Sequence, residues 1–368
     1  MVLVLQITRM NKTPKKHDRD SDGYRSPLWM ITREPRLNRF VQYLQAAREE
    51  MEESSQEVVL RFSRRDIETV RREFSRMIRR GEEHLHLLAQ IISNYLSMTH
   101  EIQSVVIGEI PSTGERFTLS QQITSKELYS TIDLDLGNRQ LRKLRFFDGG
   151  NWVVPTLVSN VVDYQALEIN DFGVHRIMTR VKAEEEIWNK VVDELFGLDA
   201  LVSRDKQLVH LSPYVKDIFG LKVVVADEGK AFSLLKLLET VRWDSASFAD
   251  TGISDTPGAD RLQFLETKNY LSGGKEKGSG WKALKSVVIW ANRTFEIQIQ
   301  PLKNYLRERE HLTKESHTGF KMTRESVRNE VARKNPLFGF YRDLLKWVFM
   351  EGRDVPPEHP GVTVLMVE

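Results

Sequence analysis

The clearest chemical pattern in this sequence lies in residues 294–300, where polar and apolar side chains alternate. In an extended strand the apolar side chains share one face, while Glu296, Gln298 and Gln300 share the other. On a central strand such a polar face lines a cleft, whereas on an edge strand it faces solvent. The pattern leaves both arrangements open. In a cleft, the Glu296 carboxylate is a candidate metal ligand.

A second carboxylate, Asp217, precedes a nearly continuous apolar run at residues 218–225. Runs of this kind are typical of strands that are buried on both faces. An aspartate at the mouth of such a strand either satisfies a turn or reaches a ligand. Paired with Glu296 from a neighbouring strand, Asp217 can hold Mg²⁺, which prefers one or two carboxylates and leaves its other positions to water and phosphate.

Cations precede this run. Arg180 and Lys182 come before a predicted helix that contains Lys190. Lys182 and Lys190 are eight residues apart, a little over two helical turns, so both can lie on one face. A phosphate chain fits along that face. The alternative is a solvated helix whose cations pair with the glutamates at 184–186.

Residues 273–282 form a segment rich in glycine and lysine that contains Trp281. It is not a phosphate-binding P-loop, because no glycine pair at the required spacing is followed by Lys and Ser or Thr. Its glycines allow close backbone approach, Lys277 can meet phosphate, and the indole can stack on a base. A mobile surface loop is the alternative. His84 and His86 are two apart on a predicted helix and share no face, so we expect no metal site from them.

The periodicity predicts an α+β fold with a mixed β-sheet flanked by helices, preceded by a helical and β N-terminal region. Ser63 and Asp66 resemble a capping box that begins a long helix. Helices are predicted at residues 37–53, 66–96, 183–196, 229–241, 302–315 and 324–348, and strands at 104–110, 116–119, 152–162, 221–226, 285–290 and 294–300.

Composition narrows the class of protein. The chain has 368 residues, a formal net charge of +2 and no cysteine, which excludes disulfides and thiolate zinc sites. No run approaches the ~20 apolar residues of a membrane helix. We therefore expect a cytoplasmic protein that does not insert into membranes, with a mobile arm at 1–35 and a tail at 351–368. The oligomeric state stays open, and an oligomer is possible.

Taken in order, these segments resemble the motifs of the RelA/SpoT family, the alarmone synthetases. The family patterns are R-x-K with S-I-x-x-K, D-I-x-G-x-R, K-D-Y with G-Y-x-S-x-H, E-x-Q-I and a closing H-x-x-x-K. The corresponding segments here are RVK at 180–182 with IWNK at 187–190, DIFGLK at 217–222, KNY at 268–270 with GWKALK at 280–285, EIQI at 296–299 and HTGFK at 317–321. They span about half of the chain.

The resemblance implies a nucleotidyltransferase-like fold at residues 166–350 and leaves the role of 36–165 open. It also implies transfer of pyrophosphate from ATP to the 3′-hydroxyl of GDP or GTP with Mg²⁺ as cofactor. Asp217 and Glu296 would be the catalytic and metal-binding residues. The other implied site residues are Arg180, Lys182, Lys190 and Lys222 for ATP, Lys268, Tyr270, Lys277, Trp281, Lys285 and Gln298 for the acceptor, and His317 and Lys321 at the phosphate rim.

The sequence departs from the family pattern in its acceptor region. Lys222, Trp281 and Lys285 stand where the family has Arg, Tyr and His. Lysine loses the bidentate phosphate contact of arginine, whereas tryptophan keeps the ability to stack. Two alternatives therefore accompany synthesis of a guanosine 3′-pyrophosphate: pyrophosphorylation of the tRNA 3′ end, and a catalytically inactive module that senses nucleotides or binds a partner. No alarmone hydrolase is expected, because the only His-Asp pair in the sequence, His17 and Asp18, lies in the predicted N-terminal arm.

Overall fold

We describe a computed structural model of the chain. It describes residues 3–5, 34–53, 57–148, 150–181, 184–196, 218–244, 253, 256–272, 281–312, 328–349 and 355–367. The chain forms two compact units, each built from separated segments. The helical unit draws on residues 1–78, 184–215 and 318–368, and the sheet unit on residues 79–183 and 216–317.

The helices and strands are numbered in chain order. The helices are α1 (Pro35–Glu53), α2 (Arg64–Tyr95), α3 (Ser125–Ser130), α4 (Asp133–Leu141), α5 (Glu184–Leu195), α6 (Glu228–Thr240), α7 (Leu302–Leu312) and α8 (Pro336–Phe349). The strands are β1 (Leu3–Leu5), β2 (Val58–Ser63), β3 (His100–Glu109), β4 (Arg116–Gln122), β5 (Phe146–Asp148), β6 (Asn151–Val153), β7 (Thr156–Ala166), β8 (Val174–Val181), β9 (Phe219–Val225), β10 (Gln263–Asn269), β11 (Leu284–Trp290), β12 (Arg293–Pro301) and β13 (Val362–Val367). Within the described part of the chain, no helix combines the length and the apolar character that crossing a bilayer demands.

The sheet unit is organised by an eight-stranded mixed sheet with the order β10-β11-β12-β9-β8-β7-β3-β4. β9 and β12 pair in parallel, and the other neighbours pair antiparallel. Helices pack against it: α4 contacts β3 and β7, while α6 and α7 contact β9 and β12. The predicted mixed sheet flanked by helices is therefore present. β12 lies between β11 and β9, so the central-strand alternative for residues 294–300 applies.

The sheet does not follow the linear division of the sequence at residue 165. β3, β4 and most of β7 come from the region 36–165, which the sequence analysis left without a role, and they extend the sheet beyond β8. β7 pairs with β8 from Val162 opposite Thr179 to Gln165 opposite Arg176. Because β7 and β8 are consecutive strands that pair antiparallel, the region 36–165 and the region that follows it contribute to one sheet.

The helical unit has its own core. Trp188 on α5 stacks on Phe349 at the end of α8, with ring centroids 3.6 Å apart, and Phe74 lies 4.6 Å from the same indole. The Tyr341 hydroxyl donates a hydrogen bond to the carbonyl of Leu44 in α1, at 2.8 Å. These contacts join helices that are far apart in the sequence.

A three-stranded parallel sheet, with the order β1-β2-β13, completes the helical unit. Part of the predicted N-terminal arm, Leu3–Leu5, forms β1, and part of the predicted C-terminal tail, Val362–Val367, forms β13. Both segments are short apolar runs with high β-propensity. They supply hydrogen-bonding partners on the two sides of β2.

Helix α2 begins at the predicted cap. Ser63 precedes its first residue, and the Ser63 hydroxyl accepts a hydrogen bond from the backbone N–H of Asp66 at 3.0 Å. In the sheet unit, the buried Gly81 of α2 faces β9. A Cβ added to Gly81 would lie 2.0 Å from the ring of Phe219, so the absent side chain allows the helix and the strand to approach closely.

We predict that Gly81→Ala destabilises the sheet unit. Alanine gains ~1 kcal/mol of helix propensity over glycine, but the new methyl group meets the fully buried ring of Phe219. Overpacking of this kind costs ~1–3 kcal/mol. Chemical denaturation is the measurement. Gly229→Ala, in the exposed first turn of α6, is the control: its new Cβ would lie 3.2 Å from the Asp227 side chain rather than inside a buried ring, so it should cost less than ~1 kcal/mol. A Gly81→Ala variant that is as stable as this control would contradict the close approach.

Candidate active site

A row of polar side chains crosses three adjacent strands of the main sheet. Lys285 on β11 is the register partner of Gln298 on β12, and Gln298 is the register partner of Lys222 on β9. Register partners on neighbouring strands present their side chains on the same face of a sheet. The structure therefore brings together three residues that the sequence analysis assigned to nucleotide binding.

The next row places a carboxylate and a guanidinium on either side of a glycine. Glu296 on β12 pairs with Gly220 on β9, and Gly220 pairs with Arg180 on β8. Among the described residues, a Cβ added at Gly220 would meet no atom nearer than the carbonyl oxygen of Arg180, at 3.8 Å. In that part of the chain, the surface above Gly220 is therefore open. Neighbouring strands are ~4.8 Å apart, so the gap between the two charged residues is roughly two strand spacings wide.

Glu296 is almost completely buried, with 1% of its surface exposed. Its Oε2 atom lies 2.5 Å from the Lys285 ammonium, and its Oε1 atom accepts a hydrogen bond from the Gln298 amide at 2.6 Å. An isolated carboxylate at this depth would carry a large desolvation cost, which the ammonium and the amide offset. The predicted catalytic acid is thus held in place by two predicted acceptor-binding residues.

Helix α7 adds charged and aromatic residues beside β8 and β9. The Lys222 ammonium pairs with Glu308 at 2.9 Å and lies 5.9 Å from the Tyr305 ring. The Arg176 guanidinium donates to the Tyr305 hydroxyl at 3.2 Å and pairs with Asp163 on β7 at 2.9 Å. Burial raises the pKa of Asp163, although Arg176 lowers it. This cluster extends the polar face toward β7.

The sequence analysis missed Arg176 and Tyr305. Arg176 is four residues before Arg180 on β8, so the two share a face by strand alternation. That periodicity was a usable signal, since Arg180 was already a candidate. Tyr305 had no such signal, because its position over β8 and β9 depends on how α7 packs.

Two predicted acceptor-binding aromatics meet at the ends of β10 and β11. The Tyr270 and Trp281 rings have centroids 5.5 Å apart and are inclined at 62°. The Tyr270 backbone N–H donates to the carbonyl of Ala283 at 3.0 Å. Lys268, also predicted for the acceptor, is the register partner of Lys285 and pairs with Glu266 at 3.0 Å.

The remaining predicted site residues do not lie on this face of the sheet or are outside the described part of the chain. Lys190 is buried on α5 in the helical unit, whereas the other described site residues belong to the sheet unit. Ile218, which follows Asp217 in the sequence, is buried directly before β9. Five predicted site residues lie outside the described part of the chain: Lys182, Asp217, Lys277, His317 and Lys321.

Comparisons with known proteins give a partial likeness to solved structures. No family model matches the chain. No curated protein matches it either. Among solved structures, it is similar to small alarmone synthetase 1 from Bacillus subtilis bound to its product pppGpp, with 16% sequence identity and a TM-score of 0.24, over 45% of this chain and 79% of the other. A likeness at that TM-score carries no conclusion about activity.

We predict that Lys285→Ala destabilises the sheet unit by about 3 kcal/mol, because the buried Glu296 carboxylate loses its countercharge. This figure is at the low end of the range for broken buried pairs, since the Lys285 side chain is 21% exposed. Lys268→Ala is the control. It breaks the more exposed pair between Lys268 and Glu266, which both lie on the neighbouring strand β10, and should cost less than ~1 kcal/mol. Denaturant titration measures both, and equal small losses would refute the importance of the buried pair.

Proposed function

We propose that the polar face of the sheet transfers pyrophosphate from ATP to the 3′-hydroxyl of a guanine or other purine nucleotide and releases AMP. The observation that carries the proposal is the buried Glu296 carboxylate, which lies beside the open surface at Gly220 and across from Arg180. The motif order adds support, because each of these three residues belongs to a different family-like segment.

The donor side of the site carries two cations. Arg180 and Lys222 lie on β8 and β9, on the same face as Gly220. Lys222 pairs with Glu308 in the described structure, and its ammonium would exchange that carboxylate for phosphate. A triphosphate over Gly220 would put its oxygens between these cations, in a partly buried setting where charge pairing is stronger than in water. Lys182, from the same family-like segment as Arg180, is proposed to join them. Arg176 is a further candidate, since it lies four residues before Arg180 on the same face of β8.

The carboxylates would hold Mg²⁺. Asp217 and Glu296 are hard oxygen donors of the kind that Mg²⁺ prefers, so the donor set fits the ion. In the described structure Lys285 lies on one Glu296 oxygen and Gln298 on the other. The proposal therefore requires the Lys285 ammonium to turn toward phosphate when nucleotide binds. Bound Mg²⁺ neutralises charge on phosphate oxygens.

The chemistry needs no protein nucleophile. The acceptor hydroxyl oxygen forms a bond to the β-phosphorus of ATP, the bond from that phosphorus to the α–β bridging oxygen breaks, and AMP leaves with the electron pair. The hydroxyl proton passes to the Glu296 carboxylate, which acts as general base. Arg180 and Lys222 neutralise the charge on the transferred group.

The acceptor would bind at the β10–β11 end of the face. Tyr270 and Trp281 offer aromatic surface for a purine base. Gln298 and the lysines 268, 277 and 285 provide polar and cationic contacts, and His317 and Lys321 are proposed for the phosphate rim. Trp281 and Lys285, which differ from the family pattern, both lie on this acceptor side. The sequence therefore constrains the identity of the donor more than that of the acceptor.

A specific observation favours a second function, a nucleotide-binding module without catalysis. Both Glu296 oxygens are engaged, one by Lys285 and one by Gln298. If the lysine stays on the carboxylate, Glu296 cannot accept a proton from the substrate. The site would then bind nucleotide through Arg180 and Lys222 and leave it unchanged.

We predict that the purified protein with ATP, Mg²⁺ and GDP or GTP releases AMP and forms a more highly phosphorylated guanine nucleotide. Glu296→Gln should lower AMP release by ~100-fold or more, the contribution of a positioned general base, and Asp217→Asn should do the same. Glu101→Gln, an exposed glutamate on β3 of the same sheet, is the control and should keep full activity.

The outcomes separate the candidates. Nucleotide binding in calorimetry with no AMP release identifies the non-catalytic module. AMP release that requires tRNA, with label appearing on tRNA, identifies the tRNA 3′ end as acceptor. Unchanged AMP release in Glu296→Gln would exclude the proposed role of that carboxylate.

We predict that Gly220→Val abolishes ATP binding without unfolding the protein. A β-branched residue suits a strand, and open space lies above this position, so stability should change by less than ~1 kcal/mol. The added side chain would occupy the gap between Glu296 and Arg180. Calorimetric titration with ATP measures the loss, and Gly220→Ala is the smaller control. Unchanged ATP affinity in the valine variant would show that nucleotide binds elsewhere.

A further inference from the structure

A second cluster of ligand-type side chains lies in the sheet unit. Glu82 and His86 are four residues apart on α2, so they share one face of the helix, and that face meets Asp133, the first residue of α4. One ligand atom from each of the three residues lies within 4.8 Å of the other two. All three side chains are buried, with no more than 4% of their surface exposed.

The three residues contact one another directly. The His86 Nε2 atom is 3.0 Å from Asp133 Oδ1, and the Asp133 backbone N–H donates to Glu82 Oε1 at 2.8 Å. The other imidazole nitrogen, Nδ1, lies 3.2 Å from the hydroxyl of the buried Tyr164 on β7. The ring orientation of His86 is therefore fixed from both sides.

The cluster holds two carboxylates and one imidazole in a buried space. The second oxygen of Asp133, Oδ2, is buried and makes no hydrogen bond to any described residue. Buried polar atoms are normally satisfied, so a bound cation or hydrogen-bond donor would complete the contacts of this oxygen.

We propose that Glu82, His86 and Asp133 bind one divalent ion of the first transition row, of the Zn²⁺ class. Imidazole with carboxylates suits Zn²⁺ and its neighbours, whereas Mg²⁺ and Ca²⁺ take oxygen ligands. Tetrahedral donors at ~2.0–2.2 Å from one Zn²⁺ are ~3.4 Å apart. The three ligand atoms here lie within 4.8 Å of one another, so binding one ion requires the side chains to close around it.

The surroundings of His86 agree with such a site. Metal-bound histidines use their other ring nitrogen to contact an orienting group, and the Tyr164 hydroxyl occupies that position. With Nδ1–H donating to the tyrosine oxygen, the Nε2 lone pair is left for the ion. The sequence analysis expected no metal site from His84 with His86. The two histidines do diverge, since the His84 ring faces Trp290 at 6.2 Å, and the site instead uses residues 82 and 86.

The cluster is separate from the proposed nucleotide face. Tyr164 and Thr179, which both contact His86, are on β7 and β8 at positions that alternate with Asp163 and Met178. They therefore lie on the opposite face of the sheet from Lys222 and its row. An ion here would join α2 to the start of α4 and would stabilise the sheet unit independently of catalysis.

The test is metal content and thermal stability of the full chain, purified without chelator. Elemental analysis should find about one Zn²⁺, Mn²⁺ or Fe²⁺ per chain, as one site requires. Chelation should lower the melting midpoint, and added Zn²⁺ or Mn²⁺ should restore it, whereas added Mg²⁺ should not. Tyr164→Phe should weaken Zn²⁺ binding by ~10- to 100-fold, the usual effect of losing an orienting partner.

Matched histidine variants localise the ion. His86→Gln should lose it, whereas His84→Gln, two residues away on the same helix, should retain it. A wild-type protein that contains no transition metal and whose melting midpoint does not respond to chelator or Zn²⁺ would overturn the proposal. The cluster would then be a buried hydrogen-bond network with a protonated glutamate. Because the wild-type measurement decides, the proposal stays testable even where His86→Gln fails to fold.

Discussion

The parallel pairing of β9 with β12 is the constraint on which the rest of the sheet unit depends. These strands are separated in the sequence by α6, β10 and β11, yet they lie side by side in the centre of the sheet. Their register puts Gly220 beside Glu296 and Lys222 beside Gln298. A slip of either strand by one residue would move the side chains of that strand to the opposite face. The polar face, its open position and its charge distribution all follow from that single register.

The buried carboxylate links structure with chemistry. Glu296 is inaccessible to bulk water, so its charge must be compensated by protein groups, and Lys285 and Gln298 provide that compensation. In a low-dielectric setting the same groups interact with a ligand more strongly than they would in water. A site of this kind is therefore sensitive to the position of one ammonium group. Whether Lys285 stays on the carboxylate or turns to phosphate separates a binding module from a catalyst.

The two faces of the sheet carry different side chains and contact different helices. One carries the row of Lys285, Gln298 and Lys222, and α7 adds Tyr305 to it. The other packs against α2, where Gly81 lets the helix approach Phe219. Along the same helix, the Glu82 and His86 side chains meet the start of α4. One long helix thus both covers the sheet and supplies the proposed metal ligands.

The sequence by itself determined the local features. Alternation in residues 294–300 fixed which side chains share a face, and the Ser63 cap fixed where α2 begins, because both depend only on residues close in the chain. The sequence did not decide whether β12 is a central or an edge strand. It also did not show that β3 and β7 extend the same sheet, because long-range pairing determines which strands are neighbours. The contact of Lys285 with Glu296 and the meeting of Glu82 with Asp133 were likewise beyond it. Each joins residues from different elements, and only the packed tertiary structure, where a buried charge must find a partner, brings them together.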